Sequence, residues 1–368
     1  MLVLHKEALL KVGVIGCGRI SGHHCQAIAN TPGAKLVAVC DLEIEKAELY
    51  QNEFGAKAYD NYHKMLTENP DINVVAVITP SGMHYEHTID IISRYKKSVI
   101  VEKPTFMRPS QVISAYDHAH KAGVSIYPVF QNRHNLAVKR VLKGIMNGEL
   151  GKLRSAAVRV RWCRPQRYYD LSPWRGTYSM DGGCLTNQGI HHIDLLRMIG
   201  GEIERVSCVH KTLGADIEVE DTAVGAIEFR NGALGSLEIT TAARPIDYEA
   251  SISLVCENGL AKIGGIAVNE LQIYTPEPSA CALNSEDFSG NVYGNGHLEI
   301  YKELVDVQRL DNQFSVSSSD VYLTIKLLNS FYLADELNTW INPATMSEDS
   351  SRLGRSEEWL ANLYRKSP

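Results

Sequence analysis

The sequence predicts two halves of different class: an α/β domain on a doubly wound parallel sheet, then an α+β domain on a mostly antiparallel sheet. Three observations predict this. From Lys11 to about Pro128, apolar β-rich runs alternate with helix-compatible segments, the pattern of a parallel sheet with helices on both faces. The first of these runs ends in a glycine turn that opens a helix. From about Leu153 the texture changes to long runs of strand chemistry, several separated by turn signals such as Asn231-Gly232 and Glu257-Asn258-Gly259, which imply hairpins.

In the first half, strands are expected near 11–16, 35–40, 73–78, 98–101 and 125–129. Helices are expected near 20–31, 43–54, 61–67, 83–96 and 109–122. The run Val74-Val75-Ala76-Val77-Ile78 is continuously apolar, as in a parallel strand covered on both faces. In the second half, strands are expected near 153–163, 204–213, 222–229, 234–241, 248–256 and 260–263. One helix is expected near 188–199 and another over 135–148. From Asp320 to Trp340 the spacing of Val321, Leu323, Leu327, Leu328, Phe331 and Leu333 is helical, and this helix is expected to pack back on the first domain. The domains read as 1–130, 131–319 and a helical segment at 320–368.

The opening turn carries the first functional signal. Lys11 to Gly22 reads K-V-G-V-I-G-C-G-R-I-S-G. Gly16 permits the turn, Gly18 lets backbone approach a pyrophosphate, and the helix N-terminus offers free N–H groups. The pattern is G-x-G-x-x-S, with Ser21 in the third position. A small residue there still lets helix and strand pack closely. A second apolar strand, Leu36 to Cys40, ends in Asp41, 25 positions after Gly16. That spacing suits a carboxylate on the adenosine ribose hydroxyls. Leu42 and Glu43 follow, with no Arg or Lys beside Asp41 for a 2′-phosphate, so the cofactor is read as NAD rather than NADP. The alternative is a nucleotide-free turn with a surface Asp.

Composition narrows the class. The 368 residues suffice for two domains and a large core. A formal charge of −6 argues against a nucleic-acid binder. No run approaches the ~18 apolar residues of a membrane span. The cysteines at 17, 25, 40, 163, 184, 208, 256 and 281 form no C-x-x-C pair. They read as free thiols of a reducing, cytoplasmic compartment rather than a disulfide framework or zinc site, and no metal is expected. Residues 1–10 read as a short lead-in.

Ligands of doubly wound sheets sit beyond the carboxyl ends of the strands, so the residues just after each strand are the informative ones. Thr79-Pro80-Ser81-Gly82-Met83-His84 follows one strand and Glu102-Lys103-Pro104 another, on the rim of Gly16 and Asp41. Pro104 restricts Lys103 to extended conformations. The alternative for Lys103 is a solvated surface lysine. A second stretch runs from Asp181-Gly182-Gly183 through Asn187-Gln188 to His191-His192-Ile193-Asp194. If it is one helix, Asn187 and His191 share a face, and Asp194 could orient the His191 ring. A satisfied structural histidine is the alternative. Arg133, Arg164, Arg167 and Arg175 suit carboxylate or phosphate, or are ordinary surface charge. Tyr168, Tyr169 and Trp174 could wall a sugar or stack on a base, or pack a core.

The Gly16–Ser21 turn, Thr79-Pro80 with His84, Glu102-Lys103-Pro104 and Asn187-x-x-x-His191 together resemble the Gfo/Idh/MocA oxidoreductase family, in order and over nearly the whole chain. The resemblance implies an N-terminal Rossmann domain and a C-terminal domain with a large open-faced sheet, often buried in homodimers or homotetramers. Gln131-Asn132-Arg133, Arg164 to Tyr169, Pro173 to Thr177, Asp181-Gly182-Gly183, Asn187-Gln188 and Val292-Tyr293-Gly294-x-Gly296-His297 look like the bacterial UDP-N-acetyl-2-amino-2-deoxyglucuronate 3-dehydrogenases. Those enzymes oxidise C3 of a UDP-linked N-acetylglucosaminuronic acid (UDP-GlcNAcA) for surface-polysaccharide sugars such as those of lipopolysaccharide. Some relatives reoxidise their NADH with 2-oxoglutarate. Many family members carry Asp where this chain has Asn187, which cannot act as acid or base.

On this reading NAD is held by Gly16, Cys17, Gly18, Arg19, Ile20, Asp41, Thr79, Pro80, His84, Glu102, Lys103 and Gln131. The nucleotide sugar meets Lys103, Arg133, Arg164, Arg167, Tyr168, Tyr169, Trp174, Arg175, Asn187, Gln188 and His191. His191 is the expected base, and Lys103 positions the hydroxyl and stabilises negative charge on its oxygen. The alternatives are the same chemistry on UDP-N-acetylglucosamine, another sugar or an inositol, and a non-catalytic NAD-binding sensor.

Overall fold

The computed structural model describes residues 9–288, 292–310 and 312–368; the expected lead-in lies almost wholly outside them. The first sheet is formed by β1 (Leu10–Ile15), β2 (Ala34–Cys40), β3 (Lys57–Tyr59), β4 (Val74–Val77), β5 (Ser98–Val101) and β6 (Ile126–Pro128). All its pairs are parallel, in the order β3-β2-β1-β4-β5-β6. This is the doubly wound dinucleotide-binding order, with its switch point between β1 and β4. β4 is buried at all four positions, because helices cover both faces. β3 was not expected from the sequence: three residues, Lys-Ala-Tyr, are too few for a period to show.

The second sheet contains β7 (Leu153–Arg161), β8 (Ile203–Lys211), β9 (Thr222–Phe229), β10 (Leu234–Thr240), β11 (Glu249–Cys256), β12 (Leu260–Gly264) and β13 (Glu270–Tyr274). Its order is β13-β12-β11-β7-β10-β9-β8, antiparallel except for the β7–β10 pair. Burial alternates along β8 and β9, so one face is packed and the other open. The open face carries Val209 paired across to Val224, and Val255 paired to Leu260, all four exposed.

Two later helices tie the halves together. Gly296–Leu310 lays Ile300, Tyr301, Leu304 and Val305 into the core that also holds Val12, Val14 and Ile28 of the first domain. The sequence reading did not identify this helix. Ser318–Glu336 contacts both β8 and the helix Pro109–Ala122, and Asn329 donates to the Met107 carbonyl at 3.1 Å. Among the described residues no helix is long and apolar enough to cross a membrane. All eight cysteines are free, and five of them are buried.

Candidate active site

A cleft of about 410 Å³ runs along the carboxyl ends of β1 to β6 and is closed on its far side by the second half of the chain. Gly16 sits at φ +97, and a Cβ there would fall 2.5 Å from the Ile78 carbonyl oxygen. The turn therefore requires glycine for both conformation and space. A Cβ on Gly18 would meet nothing within 4 Å, so its surface is open cleft. Ser21 is buried and its Oγ donates to the Gly18 carbonyl, which explains how serine serves in the third position. Asp41 accepts from the Cys17 amide at 2.7 Å and from the Glu43 amide at 3.0 Å, which fixes its carboxylate at the end of β2. Arg19, Ile20, Thr79, Pro80, Glu102, Lys103 and Gln131 also face the cleft. Gln131 Oε1 is buried without a hydrogen-bond partner, an unpaired acceptor suited to a carboxamide N–H. The open glycine surface, the fixed Asp41 and this orphaned acceptor fit a dinucleotide.

Some of the expected cofactor residues act indirectly. The Cys17 side chain is buried and turned to the Cys40 carbonyl, so only its backbone serves the turn. His84, whose pKa burial lowers, lies between the carbonyls of Thr79 at 2.9 Å and Pro104 at 2.8 Å and ties two rim loops together. No cation was expected beside Asp41, but Lys46 reaches the cleft there. It is ion-paired at 2.6 Å with Glu43, the residue that precedes its helix Ile44–Phe54.

The reacting end is organised around Lys103. Its half-buried side chain donates from Nζ to the Asn187 carbonyl at 2.8 Å and to Asn187 Oδ1 at 3.0 Å. The Asn187 amide donates in turn to Asp181, whose other oxygen accepts from the Gly176 amide at 2.8 Å. Burial lowers the Lys103 pKa, with Glu102 and Asp181 opposing. Burial alone would raise the Glu102 carboxyl. Hydrogen bonds from His24 at 3.0 Å and His297 at 3.1 Å instead hold it well below the usual range. These three groups also form a buried cluster whose potential ligand atoms lie within 4.8 Å of one another.

His191 departs from the expected geometry. The chain forms Gly183–Asn187, breaks at Gln188 and Gly189, and restarts as Ile190–Gly200, so Asn187 and His191 do not share one helix face. Asp194 does not orient the ring: it accepts two bonds from Arg133, at 2.7 and 2.6 Å, and one from Thr324 at 2.8 Å. His191 is buried behind the cleft lining, and both its ring nitrogens are without a hydrogen-bond partner. Burial, and then the Lys103 charge, push its pKa well below the ordinary histidine value, so the ring is neutral.

Arg133 is consumed by Asp194 and lies outside the cleft lining. Arg164 lies outside it too, paired with Asp247 at 2.8 Å. Arg167 is exposed away from the cleft, Tyr169 is buried with its hydroxyl on Thr241, and Gln188 is buried behind the rim. Trp174, Arg175, Tyr168 and Asn187 do face the cleft. The Arg175 guanidinium lies 4.5 Å from the Tyr168 ring centre and 4.6 Å from that of Trp174.

Beneath the Asp181–Asn187 loop, Glu220 is buried. It accepts from the Leu185 amide at 3.1 Å and from the Tyr332 hydroxyl at 2.8 Å. A Cβ on Gly183 would meet this carboxylate at 2.2 Å, which accounts for the second glycine of the pair. Burial pushes the Glu220 pKa from 4.5 up to about 8, so the folded protein retains a proton that the unfolded chain releases. That contribution to stability is complete below the unfolded value and is lost as pH rises through the folded one. The melting temperature is expected to fall as pH rises across this window, and Glu220→Gln to flatten the slope. An unchanged slope in the variant would remove Glu220 as the cause.

Comparison with known proteins agrees with this architecture. The oxidoreductase family with the NAD-binding Rossmann fold, GFO_IDH_MocA, matches residues 10–130, and the GFO/IDH/MocA C-terminal domain matches residues 138–262. D-glucoside 3-dehydrogenase of Escherichia coli is 30% identical over 256 residues, covering 63% of this chain and 70% of that one. The WlbA dehydrogenase of Bordetella pertussis, solved with NADH and UDP-GlcNAcA, is 32% identical with a TM-score of 0.85, covering 91% of this chain and 97% of that one. The WlbA dehydrogenase of Chromobacterium violaceum, in the same kind of complex, is 29% identical with a TM-score of 0.83, covering 93% and 99%. With its glycine turn, its parallel sheet and its mostly antiparallel second sheet, the chain belongs to the Gfo/Idh/MocA family of NAD-binding oxidoreductases.

Proposed function

We propose that this protein oxidises the C3 hydroxyl of UDP-linked N-acetylglucosaminuronic acid to the 3-keto sugar. The observation that carries the reading is the Lys103 ammonium in the cleft, fixed by Asn187 and close enough for its charge to depress the pKa of a neutral His191 that has no hydrogen-bond partner. Bound NAD⁺ supplies the hydride acceptor. Lys103 has three donors. Two go to Asn187, and the third is free to hold the sugar hydroxyl and stabilise charge developing on its oxygen. His191, neutral and without a competing hydrogen bond, accepts the hydroxyl proton. Asp181, through Asn187, keeps Lys103 in place.

The nucleotide-sugar assignment is supported by the two WlbA neighbours solved with UDP-GlcNAcA and by Arg175 stacked between Tyr168 and Trp174 at the cleft. Arg19 and Arg175 are the arginines facing the cleft among the described residues, and they replace Arg133, Arg164 and Arg167 as the groups for carboxylate or diphosphate. A second reading, the same chemistry on a neutral sugar, is favoured by the pairing of Arg164 with Asp247. The experiment is NADH formation with UDP-GlcNAcA, UDP-N-acetylglucosamine, glucose and myo-inositol, with and without 2-oxoglutarate. Turnover confined to the uronate is expected. Turnover with the neutral nucleotide sugar alone would overturn the carboxylate assignment and leave the proton chemistry standing.

The exposed apolar positions on the open sheet face, Val209, Val224, Leu234, Val255, Leu260 and Ile273, support a homo-oligomer joined through that sheet. Light scattering is expected to give a dimer or tetramer mass, and a monomer mass at micromolar concentration would refute the oligomer.

A further inference from the structure

Two residues far outside the Rossmann stretch line the same cleft as Asp41: Tyr364 and Lys366. The segment that carries them is held at every step. The Gly354 amide donates to the Tyr178 carbonyl at 2.8 Å, and Arg108 donates to the Gly354 carbonyl at 3.1 Å. The short helix Glu358–Asn362 then buries Leu360 and Ala361 against Met83 and Met180, with Trp174 and Tyr364 packed at the edge. Beyond it the chain turns at Leu363 and Tyr364 and then follows the rim of the first domain without regular secondary structure. Three backbone carbonyls in four residues are captured by side chains of that domain: Tyr364 by His87 at 3.3 Å, Lys366 by His63 at 3.0 Å and Ser367 by Asn61 at 2.9 Å. Arg365 makes a two-pronged ion pair with Glu86, at 2.6 and 2.8 Å.

Arg365 is held on Glu86 outside the cleft lining, while Tyr364 and Lys366 line the cleft. Their neighbours there identify the part of the ligand they face. Asp41, Asp60, Tyr62 and His87 share this end of the cleft, beyond β2, β3 and β4. Lys103 and Gln131 lie beyond β5 and β6, towards the opposite edge of the sheet. The end marked by Asp41 is the adenosine end. The Lys366 charge reaches Cys40 at the end of β2, which places it on the same side. Three carboxylates, Asp41, Glu43 and Asp60, stand at this end against one other cation, Lys46, which is paired with Glu43, so the Lys366 charge there favours an anionic dinucleotide.

We propose that Tyr364 and Lys366 are adenosine-binding residues, and that the strap carrying them, fastened by the Arg365–Glu86 pair, slows release of NAD(H). Tyr364 offers an aromatic face to the base or its ribose, and Lys366 offers positive charge to the nucleotide. The strap connects the Rossmann rim to the Trp174 loop, so holding the cofactor and shaping the sugar side use one element. The proposal rests on the NAD-binding cleft and on no assignment of the sugar, so its test contains no sugar.

The test compares Tyr364→Ala, Arg365→Ala and Lys366→Met with the parent protein. ADP probes the adenosine half and nicotinamide mononucleotide the other half, both by calorimetry. NADH release is followed by stopped-flow fluorescence, and the melting temperature of the cofactor-free protein checks folding. ADP affinity is expected to fall about tenfold in Tyr364→Ala, in the range of a lost base–aromatic contact. Lys366→Met is expected to weaken ADP by a smaller factor, and Arg365→Ala to speed NADH release several-fold, all with unchanged mononucleotide affinity. Unchanged ADP affinity and NADH release in all three folded variants would overturn the proposal. Equal weakening of ADP and the mononucleotide would also overturn it, because a merely structural strap would act on both halves.

Discussion

His191→Asn lowers turnover by about 10²–10⁴-fold, the contribution of a positioned base, while NAD affinity holds. The size follows from the environment of the ring. Both nitrogens are buried and unpartnered, and the second cause of the pKa depression, after burial, is the Lys103 charge. A histidine kept neutral in this way is a ready acceptor but a reluctant cation, so the proton must move on once it has been taken. The acid limb of the kcat/KM profile is therefore expected below the ordinary histidine value. Steady-state kinetics with calorimetric NAD binding separates the two effects. Parental turnover in His191→Asn would contradict the assignment.

Lys103→Met is expected to cost about 10²–10³ in kcat, the range for losing one donor to a developing oxyanion. Two losses combine. The hydroxyl loses its cation, and the half-buried Asn187 carbonyl and side-chain oxygen lose the donor that satisfies them. Lys103→Arg is not expected to rescue, because a planar fork cannot place three tetrahedral donors on the same partners. Rates measured at saturating NAD⁺ decide the matter. Parental kcat in Lys103→Met, or full rescue by Arg, would remove Lys103 from the reacting centre.

The parts of the fold that depend on local pattern were legible. The expected strand at 73–78 is β4, because a continuous apolar run between polar turns has few other solutions. The helices expected at 43–54 and 109–122 begin and end within a residue of Ile44–Phe54 and Pro109–Ala122. β3 and β13 were missed, because short strands are fixed by the neighbour they pair with. The helix Gly296–Leu310 was missed too; its buried face packs on the first domain, whose partner residues stand far away in the sequence. The site shows the same limit. Gly16, Asp41 and Lys103 could be placed because each lies within two residues of a strand's carboxyl end. The spacing of Asn187, His191 and Asp194 suggested one helix, but the chain breaks at Gln188-Gly189, where a Cβ on Gly189 would meet Ile239 at 2.4 Å. Asp194 is claimed by Arg133, 61 residues earlier, and no local pattern reports such a pairing. Lys46, Tyr364 and Lys366 reach the cleft only through tertiary packing.

The central claim is hydride transfer from sugar C3 to NAD⁺ in the cleft above Lys103. It is tested most directly with UDP-GlcNAcA carrying deuterium at C3, with the NADH product analysed by mass spectrometry. The account predicts one deuterium in the NADH and a slower reduction than with unlabelled substrate. NADH formed without deuterium would place the oxidation at another carbon and contradict it.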